Sequence, residues 1–307
     1  MSISITNVSS TDKKVSPFHF RCKHRHSGIT HPGCYRKYLR GNARNMVKLP
    51  KILIFDIETS PLKAYIFATR LWNTNVNEEQ VLSEWFALCW SAKWLFDDKI
   101  ISDRLTSREA KNEDDSRIVK SLWKLLDEAD IVVAHNGDKF DVPNMNTRFI
   151  VNNLPPTSPY QTIDTCSIAK RQFGFSHNNL NALARVFGFK SKMETNFQLW
   201  KSCVDGDEVA LQRMEKYNRH DVELLEEVYM KIRPWIHSHP NIGLYIESTE
   251  PVCSNCGSKN IIKTEKFYYT MTGKYELYRC ECGAYIRVRV SSLSKDKRKN
   301  LLISVAK

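Results

Sequence analysis

The sequence has no apolar run that approaches the roughly 18 to 20 residues of a membrane span. Its first residues, MSISITNVSSTDKK, lack the basic and then apolar order of a secretory signal. Internal repeats and low-complexity tracts are also missing. We therefore expect a soluble cytoplasmic protein with no membrane partner, and 307 residues are enough for one large domain plus one or two small modules.

Positive charge is concentrated at the two ends of the chain. The formal net charge is +12, to which residues 1–50 contribute +9 and residues 246–307 contribute +6, leaving −3 for the residues between them. Basic ends around a neutral to acidic centre favour a catalytic body that holds cations and flanks that hold a polyanion. The alternative is that the basic ends only increase solubility or are disordered.

Six of the nine cysteines fall in two short clusters, at residues 22–34 and 253–282. Clustering with His and Gly in a chain without a secretory signal favours metal binding over disulfides. Cys89, Cys166 and Cys203 stand alone in apolar or helical surroundings, where we expect them to pack in the core.

The residue pattern divides the chain into three parts. Residues 1–48 are basic and rich in His and Cys, residues 49–245 alternate strand-like with helix-like segments, and residues 250–307 indicate short strands with turns. This alternation predicts an α/β or mixed-sheet fold for the middle part.

Several elements of the middle part follow from hydrophobic periodicity. KILIFDIE and DIVVAHN predict buried strands, and WFALCWSAKWLF predicts another, with Leu88, Trp90, Ala92 and Trp94 on one face. That aromatic stripe favours core packing over a nucleic-acid platform. Helices are predicted over residues 115–129, from Pro143 to Val151, after Asp164, over NNLNALARVFGF with its end at Gly188, and from Asp207 to Ile232 before Pro234.

FDIETS, residues 55–60, places two acids where a buried strand ends. Side chains alternate along a strand, so Asp56 and Glu58 project from the same face and repel each other. Such a pair is tolerable when the carboxylates share a proton or when a cation lies between them, and a divalent metal is the obvious candidate. The alternative is that both are solvated at the strand end, with Thr59-Ser60-Pro61 forming a turn.

Two further acidic motifs are each ambiguous by themselves. Asp141 in HNGDKFD lies two residues before Pro143, so it could be a helix N-cap instead of a functional carboxylate. In YNRHD, Tyr217 and Asp221 lie four apart on a predicted helix and therefore share a face. Asp164 before a helix is expected to be an N-cap, and Asp138 a solvated loop residue.

The order of the three motifs resembles the DEDD exonuclease superfamily, also called DnaQ-like, which has an RNase H-like fold. Tyr217 indicates the tyrosine branch (DEDDy), because the histidine branch would need His at position 216, where this chain has Lys216. The resemblance covers residues 51 to about 235. With SAKWL, RPWI, SHPN and the C-terminal cysteines, the chain is similar to a group of stand-alone exonucleases encoded by tailed bacteriophages, which would place it in the host cytoplasm.

The resemblance implies an RNase H-like mixed β-sheet flanked by helices and a two-metal active site. Asp56, Glu58, Asp141 and Asp221 would be catalytic carboxylates that hold two Mg²⁺ or Mn²⁺ ions. Tyr217 would orient the attacking water. Asn136 would either contact the substrate or brace the turn before Asp141, and Phe140 would be a second substrate contact.

The C-terminal cysteines predict a zinc ribbon. The cysteine pairs of CSNCG and CECG enclose 23 residues, from Gly257 to Arg279, that resemble a β-hairpin with Thr272-Gly273 near its turn. Cys253, Cys256, Cys280 and Cys282 would bind one tetrahedral Zn²⁺. The second pair is C-x-C where the usual knuckle is C-x-x-C, which puts the knuckle geometry in doubt. The basic residues of YIRVRV and KDKRK favour nucleic-acid binding.

The N-terminal segment CKHRHSGITHPGC offers five candidate ligands for a second zinc site. We predict ligation by both cysteines, Cys22 and Cys34, with His24 and His31 in preference to His26. The alternative is a basic surface loop that binds phosphates without a metal. The cofactors expected are therefore two Mg²⁺ or Mn²⁺ ions with one or two Zn²⁺ ions.

These observations predict a 3′ to 5′ exonuclease that releases nucleoside 5′-monophosphates from nucleic-acid ends. DNA as substrate and the polarity are implied by the resemblance alone. Two alternatives stay open: an RNA-trimming exoribonuclease of the same superfamily, and a zinc-ribbon nucleic-acid-binding protein whose nuclease centre is inactive. Beyond nucleic acid, a separate polymerase or other replication proteins are candidate partners.

Overall fold

The computed structural model describes residues 49–67, 75–190 and 193–305. Residues 50–238 form one compact unit, here called the α/β unit, and the described residues from His239 onward form a second, the C-terminal unit. The predicted N-terminal zinc ligands lie outside the described residues and stay a prediction. Among the residues that are described, no helix is both long and apolar enough to cross a membrane.

The α/β unit is built on a mixed five-stranded sheet. In chain order its strands are β1 (Ile52–Thr59), β2 (Lys63–Ala64), β3 (Val81–Ser83), β4 (Ala87–Trp94), β5 (Ile100–Arg104), β6 (Ile131–Ala134) and β7 (Gln161–Asp164). The large sheet has the order β5-β4-β1-β6-β7, while β2 and β3 pair separately. β1 is central because it pairs antiparallel with β4 on one side and parallel with β6 on the other.

Helices flank this sheet. They are α1 (Ser107–Lys111), α2 (Ser116–Glu128), α3 (Asp141–Val151), α4 (Thr165–Gln172), α5 (Leu180–Phe187), α6 (Phe197–Val204) and α7 (Glu208–Ile232). The predicted mixed α/β architecture is confirmed, including the end of α5 at Gly188, whose φ of 75° is left-handed. α3 begins two residues earlier than predicted. The elements that were not predicted are β2, β3, β5, β7, α1 and α6.

The strand β1 is buried on both faces, as expected of the centre of a sheet covered by helices. Leu53, Ile54 and Phe55 have no exposed surface. On β4, Leu88, Trp90 and Ala92 are buried, so the aromatic stripe is core as predicted. The lone cysteines at 89, 166 and 203 are buried as well, and burial raises the pKa of the Cys203 thiol to about 12.

A buried acid that sequence reasoning did not single out ties three elements together. The Asp115 carboxylate, 1% exposed, accepts two hydrogen bonds from the Arg148 guanidinium, Nε at 2.6 Å and Nη2 at 2.7 Å. It also accepts the backbone N–H of Ala87 at 2.9 Å and the Asn152 side-chain amide at 3.1 Å. Fully paired charges of this kind are stable when buried, but either partner left alone is not.

We expect Asp115→Ala to lower the free energy of unfolding by about 3 to 5 kcal/mol, because it leaves the Arg148 guanidinium, only 12% exposed, without its counter-charge. Urea denaturation followed by far-UV circular dichroism measures this effect. The control is Asp114→Ala, since Asp114 is exposed and its hydrogen bonds come from the neighbouring Ser116. Equal stability of the two variants would contradict the prediction.

The C-terminal unit contains a three-stranded sheet of order β10-β9-β8. Its elements are β8 (Ile261–Tyr269), β9 (Lys274–Cys280), β10 (Tyr285–Arg287) and the short helix α8 (Lys295–Lys299). β8 and β9 form the predicted hairpin, and the Thr270 N–H donates to the Gly273 carbonyl at 2.9 Å in its turn.

Candidate active site and metal centre

The strand β1 carries the first two predicted carboxylates. Asp56 and Glu58 are both partly buried near its C-terminal end, and Ile57 between them is 3% exposed. β6 ends at Ala134, so its pairing with β1 stops at Ile54, and the last residues of β1 are not paired with it. The two acids therefore lie where the sheet opens on one side of β1.

The turn after β6 brings the third carboxylate to this opening. Asn136 adopts a left-handed φ of 67°, and its carbonyl accepts the backbone N–H groups of Lys139 and Phe140 at 3.1 and 3.0 Å. A Cβ at Gly137 would lie 2.4 Å from the Ala134 Cβ, so the turn requires glycine. The turn ends at Asp141, whose Oδ1 accepts the backbone N–H of Ile57 at 3.2 Å.

The structure excludes the N-cap interpretation of Asp141. Phe140 is the N-cap of α3 and Asp141 is its first helical residue, so Asp141 is not the cap. Its carboxylate instead binds the β1 amide that lies between Asp56 and Glu58, 84 residues away in sequence. Burial raises the pKa of Asp141 from 3.8 to about 7, and the hydrogen bond from Ile57 opposes part of that rise.

The helix α7 supplies the last group of predicted residues. It packs against β1, β4 and β5, and its inner face includes Tyr217 and Asp221, which are 4% and 2% exposed. The Tyr217 ring packs edge-on against Trp200, with ring centroids 6.2 Å apart. The four-residue spacing thus places both side chains on the buried side of the helix, as predicted.

Three of the four predicted carboxylates converge. One carboxylate oxygen from each of Asp56, Glu58 and Asp221 lies within 4.8 Å of the others, and Asp141 is not in this group. Three acids this close repel each other unless cations neutralise them, and an all-oxygen donor set suits Mg²⁺ or Mn²⁺. The residues present therefore fit a divalent-cation site, with Asp141 at its edge through the Ile57 amide.

Asn218 is a site residue that sequence reasoning missed. Its side-chain Nδ2 donates to Asp56 Oδ2 at 2.6 Å, and the residue is completely buried. It lies inside YNRHD, three residues before Asp221, so it shares the inner face of α7. A polar residue on the buried face of an amphipathic helix is the signal that identifies it.

We expect Asn218→Ala to weaken Mn²⁺ binding about 10- to 100-fold, because removing a group that orients a metal ligand typically has an effect of this size. Isothermal titration calorimetry with Mn²⁺ measures the change, and Gln212→Ala on the exposed side of α7 is the matched control. Unchanged affinity in a folded Asn218→Ala protein would show that the bond to Asp56 does not orient the ligand.

We also expect Asp141→Asn to make the metal-free protein more stable above pH 7. The folded pKa near 7 exceeds the unfolded value near 4, so the neutral form stabilises the fold. That contribution is complete below pH 4 and is lost as the pH rises through 7, whereas Asn stays neutral throughout. Thermal unfolding of metal-free protein at pH 5 and pH 8 should show the larger advantage of the variant at pH 8; a constant difference would contradict this.

The residues expected to contact substrate differ in their positions. Asn136 braces the turn before Asp141 through its backbone, and its own N–H donates to Asp164 Oδ1 at 2.9 Å. Phe140 is 41% exposed beside Asp141, so its ring is open to a ligand. Asp164 is the N-cap of α4 as predicted, because Oδ1 also accepts the N–H groups of Cys166 and Ser167. Asp138 is exposed, as expected.

The four C-terminal cysteines form a second candidate metal centre. Their Sγ atoms all lie within 4.8 Å of one another, with Cys253 and Cys282 3.8 Å apart and Cys256 and Cys280 3.6 Å apart. A tetrahedral site with Zn–S bonds near 2.3 Å has S···S separations of about 3.8 Å, while a disulfide needs about 2.05 Å. The cluster therefore has the dimensions of a tetrahedral zinc site.

Each cysteine turn is closed by a hydrogen bond from its glycine N–H to the carbonyl of its first cysteine, four residues back in C-x-x-C and three residues back in C-x-C. The Gly257 N–H donates to the Cys253 carbonyl at 2.8 Å, and the Gly283 N–H donates to the Cys280 carbonyl at 2.9 Å. Both glycines have a left-handed φ, 77° and 92°. The shortened C-x-C turn thus still presents Cys280 and Cys282 to the cluster.

Comparison with known proteins places the α/β unit in a structural class. Residues 94–233 match the model of the RNase_H_2 family, described as RNase_H superfamily. The chain therefore contains an RNase H-like superfamily domain, in agreement with its mixed sheet flanked by helices. The matched range includes Asp141, Tyr217 and Asp221, whereas β1 with Asp56 and Glu58 precedes it.

Among solved structures, the chain is similar to the family B DNA polymerase from the hyperthermophilic archaeon Pyrobaculum calidifontis. The sequence identity is 15% and the TM-score is 0.45 over 61% of this chain. The chain spans only 25% of the length of that polymerase. No curated protein matches the chain significantly.

Proposed function

We propose that the α/β unit is a metal-dependent 3′ to 5′ exonuclease of the DEDDy type that acts on DNA ends. The observation that carries the proposal is the convergence of Asp56, Glu58 and Asp221, with Asp141 bonded to the amide between the first two. The match of residues 94–233, which include Asp141 and Asp221, to the RNase_H superfamily supports it. The polarity and the preference for DNA rest on the motif resemblance.

The proposed chemistry assigns a role to each side chain. Asp56, Glu58, Asp141 and Asp221 would hold two Mg²⁺ or Mn²⁺ ions. Such ions, when bound, supply the Lewis acidity that activates a water and neutralises charge on the phosphate. Asn218 fixes one Asp56 oxygen, and the Ile57 N–H fixes one Asp141 oxygen. Tyr217 would position the attacking water, and the exposed Phe140 ring would contact the terminal nucleotide.

The cysteine cluster extends the proposal to the C-terminal unit. Cys253, Cys256, Cys280 and Cys282 would bind one structural Zn²⁺ and make this unit a zinc ribbon. The motif resemblance to phage-encoded enzymes supports action in the host cytoplasm beside a separate polymerase or other replication proteins.

The test is degradation of 5′-labelled single- and double-stranded DNA and RNA by purified protein, with Mg²⁺, with Mn²⁺ and with neither. The proposal expects metal-dependent, stepwise shortening of DNA and release of nucleoside 5′-monophosphates. Internal fragments would indicate an endonuclease, and immediate release of the labelled nucleotide would indicate the opposite polarity. Faster shortening of RNA would favour the exoribonuclease alternative, and no degradation of any substrate would favour a binding protein with an inactive centre.

A further inference from the structure

One face of the β10-β9-β8 sheet carries alternating aromatic and basic side chains. Residues that pair across strands share a face, and residues two apart on a strand do as well. The register pairs Tyr268 with Tyr275, Arg279 with Tyr285 and Leu277 with Arg287. Positions 275, 277 and 279 alternate along β9, so all three tyrosines and both arginines lie on one face, here called the Tyr/Arg face.

The Tyr/Arg face is open to solvent. Tyr268 and Tyr285 are 48% and 60% exposed, and the side chains of Arg279 and Arg287 are exposed as well. The Arg287 guanidinium lies 4.2 Å from the ring centroid of Tyr275 and 5.6 Å from that of Tyr268, and Arg279 lies 5.5 Å from Tyr285. These cation–π contacts hold the guanidinium groups against the rings while their N–H edges stay available.

The charge of this face is of one sign. Among the described residues of the sheet, the paired positions on this face carry two arginines and no acid. Glu276 follows Tyr275 on β9 and therefore lies on the opposite face, where it forms an ion pair with Lys263 at 2.5 Å. A surface with exposed rings and unopposed guanidinium groups is complementary to unpaired bases joined by phosphates.

We propose that the Tyr/Arg face binds single-stranded nucleic acid, with bases stacked on Tyr268 and Tyr285 and phosphates held by Arg279 and Arg287. Every base has a π-face, so recognition by stacking tolerates any sequence, as a general nuclease requires. Duplex binds less well because its bases are already stacked on each other. The choice of nucleic acid as the bound polymer rests on the proposed function, but binding to the Tyr/Arg face does not require catalytic activity.

The experiment uses the full-length chain carrying Asp221→Asn, so that substrate is not degraded and no chelator threatens the cysteine cluster. Fluorescence anisotropy follows binding of a 5′-fluorescein-labelled oligothymidylate of about 20 nucleotides, a length that spans several base-stacking sites. Tyr268→Ala and Tyr285→Ala are each expected to weaken binding about 5- to 100-fold. Binding weakens as the salt concentration rises, and a plot of log K against log salt concentration gives the slope of this dependence. Arg279→Gln is expected to reduce the magnitude of that slope by about 0.7, the value of one phosphate contact on a single strand.

Two control variants test whether a loss of binding is specific to the Tyr/Arg face. Tyr269→Ala removes a neighbouring tyrosine that is 65% exposed but pairs with Lys274 and so lies on the opposite face. Lys263→Gln removes one positive charge from the opposite face of the sheet, where Lys263 pairs with Tyr278 and forms an ion pair with Glu276. Both controls should bind like the parent protein. An abasic oligonucleotide keeps the phosphates without the bases, so the effect of Tyr268→Ala should disappear with it. An unchanged zinc content in each variant shows that the unit is folded.

Equal affinities of Tyr268→Ala, Tyr285→Ala and Tyr269→Ala would overturn the inference. It would also be overturned if the parent protein did not bind the probe but self-associated through the face, seen as a mass change on gel filtration that Tyr285→Ala abolishes. Failure of the proposed function would give a different result. If the wild-type chain degraded no substrate but bound the probe in a tyrosine-dependent manner, the exonuclease proposal would be contradicted, whereas the proposal that the Tyr/Arg face binds single strands would stand.

Discussion

Replacing Asp56 with Ala, or Asp221 with Asn, is expected to lower exonuclease turnover by at least roughly 10³-fold. Both residues belong to the converging carboxylates of β1 and α7, and each variant removes one negative charge from the group that would hold the cations. Asp221→Asn keeps the side-chain shape, so its effect reports the lost charge and not lost packing. Initial rates on a 5′-labelled oligonucleotide, measured over a series of Mg²⁺ concentrations, provide the comparison.

The matched control for these variants is Asp138→Asn. Asp138 lies in the turn that leads to Asp141, but it is exposed and is not among the converging acids. It should therefore keep turnover within about twofold of wild type, as expected of a solvated surface charge. If Asp221→Asn retained more than a tenth of wild-type turnover at saturating Mg²⁺, the converging acids would not be the catalytic centre.

Replacing Cys256 with Ser is expected to remove one Zn²⁺ per chain and to unfold the C-terminal unit. The buried apolar residues in the described part of the C-terminal unit are few: Ile242, Cys253, Cys256, Cys280 and Ala284. A core of that size cannot stabilise a sheet, whereas structural Zn²⁺ contributes on the order of 10 to 16 kcal/mol in small zinc modules. Zinc analysis by mass spectrometry and limited proteolysis of the β8–β9 hairpin would follow the loss.

The control for the zinc prediction is Cys166→Ser, which removes a buried thiol from α4 and should leave zinc unchanged. The quantity compared is the difference in zinc content per chain between variant and wild type, so the result does not depend on whether the N-terminal residues bind a second ion. A Cys256→Ser chain with wild-type zinc content and an intact hairpin would show that the cluster is not the zinc site.

The elements that could be predicted from the sequence are those with a strong local pattern. β1 and β6 are continuous apolar runs, and α2 and α7 repeat apolar residues at helical spacing, so their existence and faces follow from periodicity. β5 has only one fully buried residue, and it becomes a strand because it pairs with β4. α1 has five residues, too few for periodicity to distinguish it from a loop. α6 has eight residues, as many as the predicted α5, so its length does not explain why it was missed.

The candidate site also has features that the sequence predicts and features that only the structure shows. The sequence by itself identified Asp56, Glu58, Asp141, Tyr217 and Asp221 as one set, because their residue types and order match a known motif, and it paired the four C-terminal cysteines by their spacing. Only the tertiary structure showed that Asp141 binds the Ile57 amide and that Asn218 holds Asp56, across 84 and 162 residues of chain. Periodicity and motif spacing report which face of an element a side chain occupies, whereas a contact between distant elements is decided by how their faces pack.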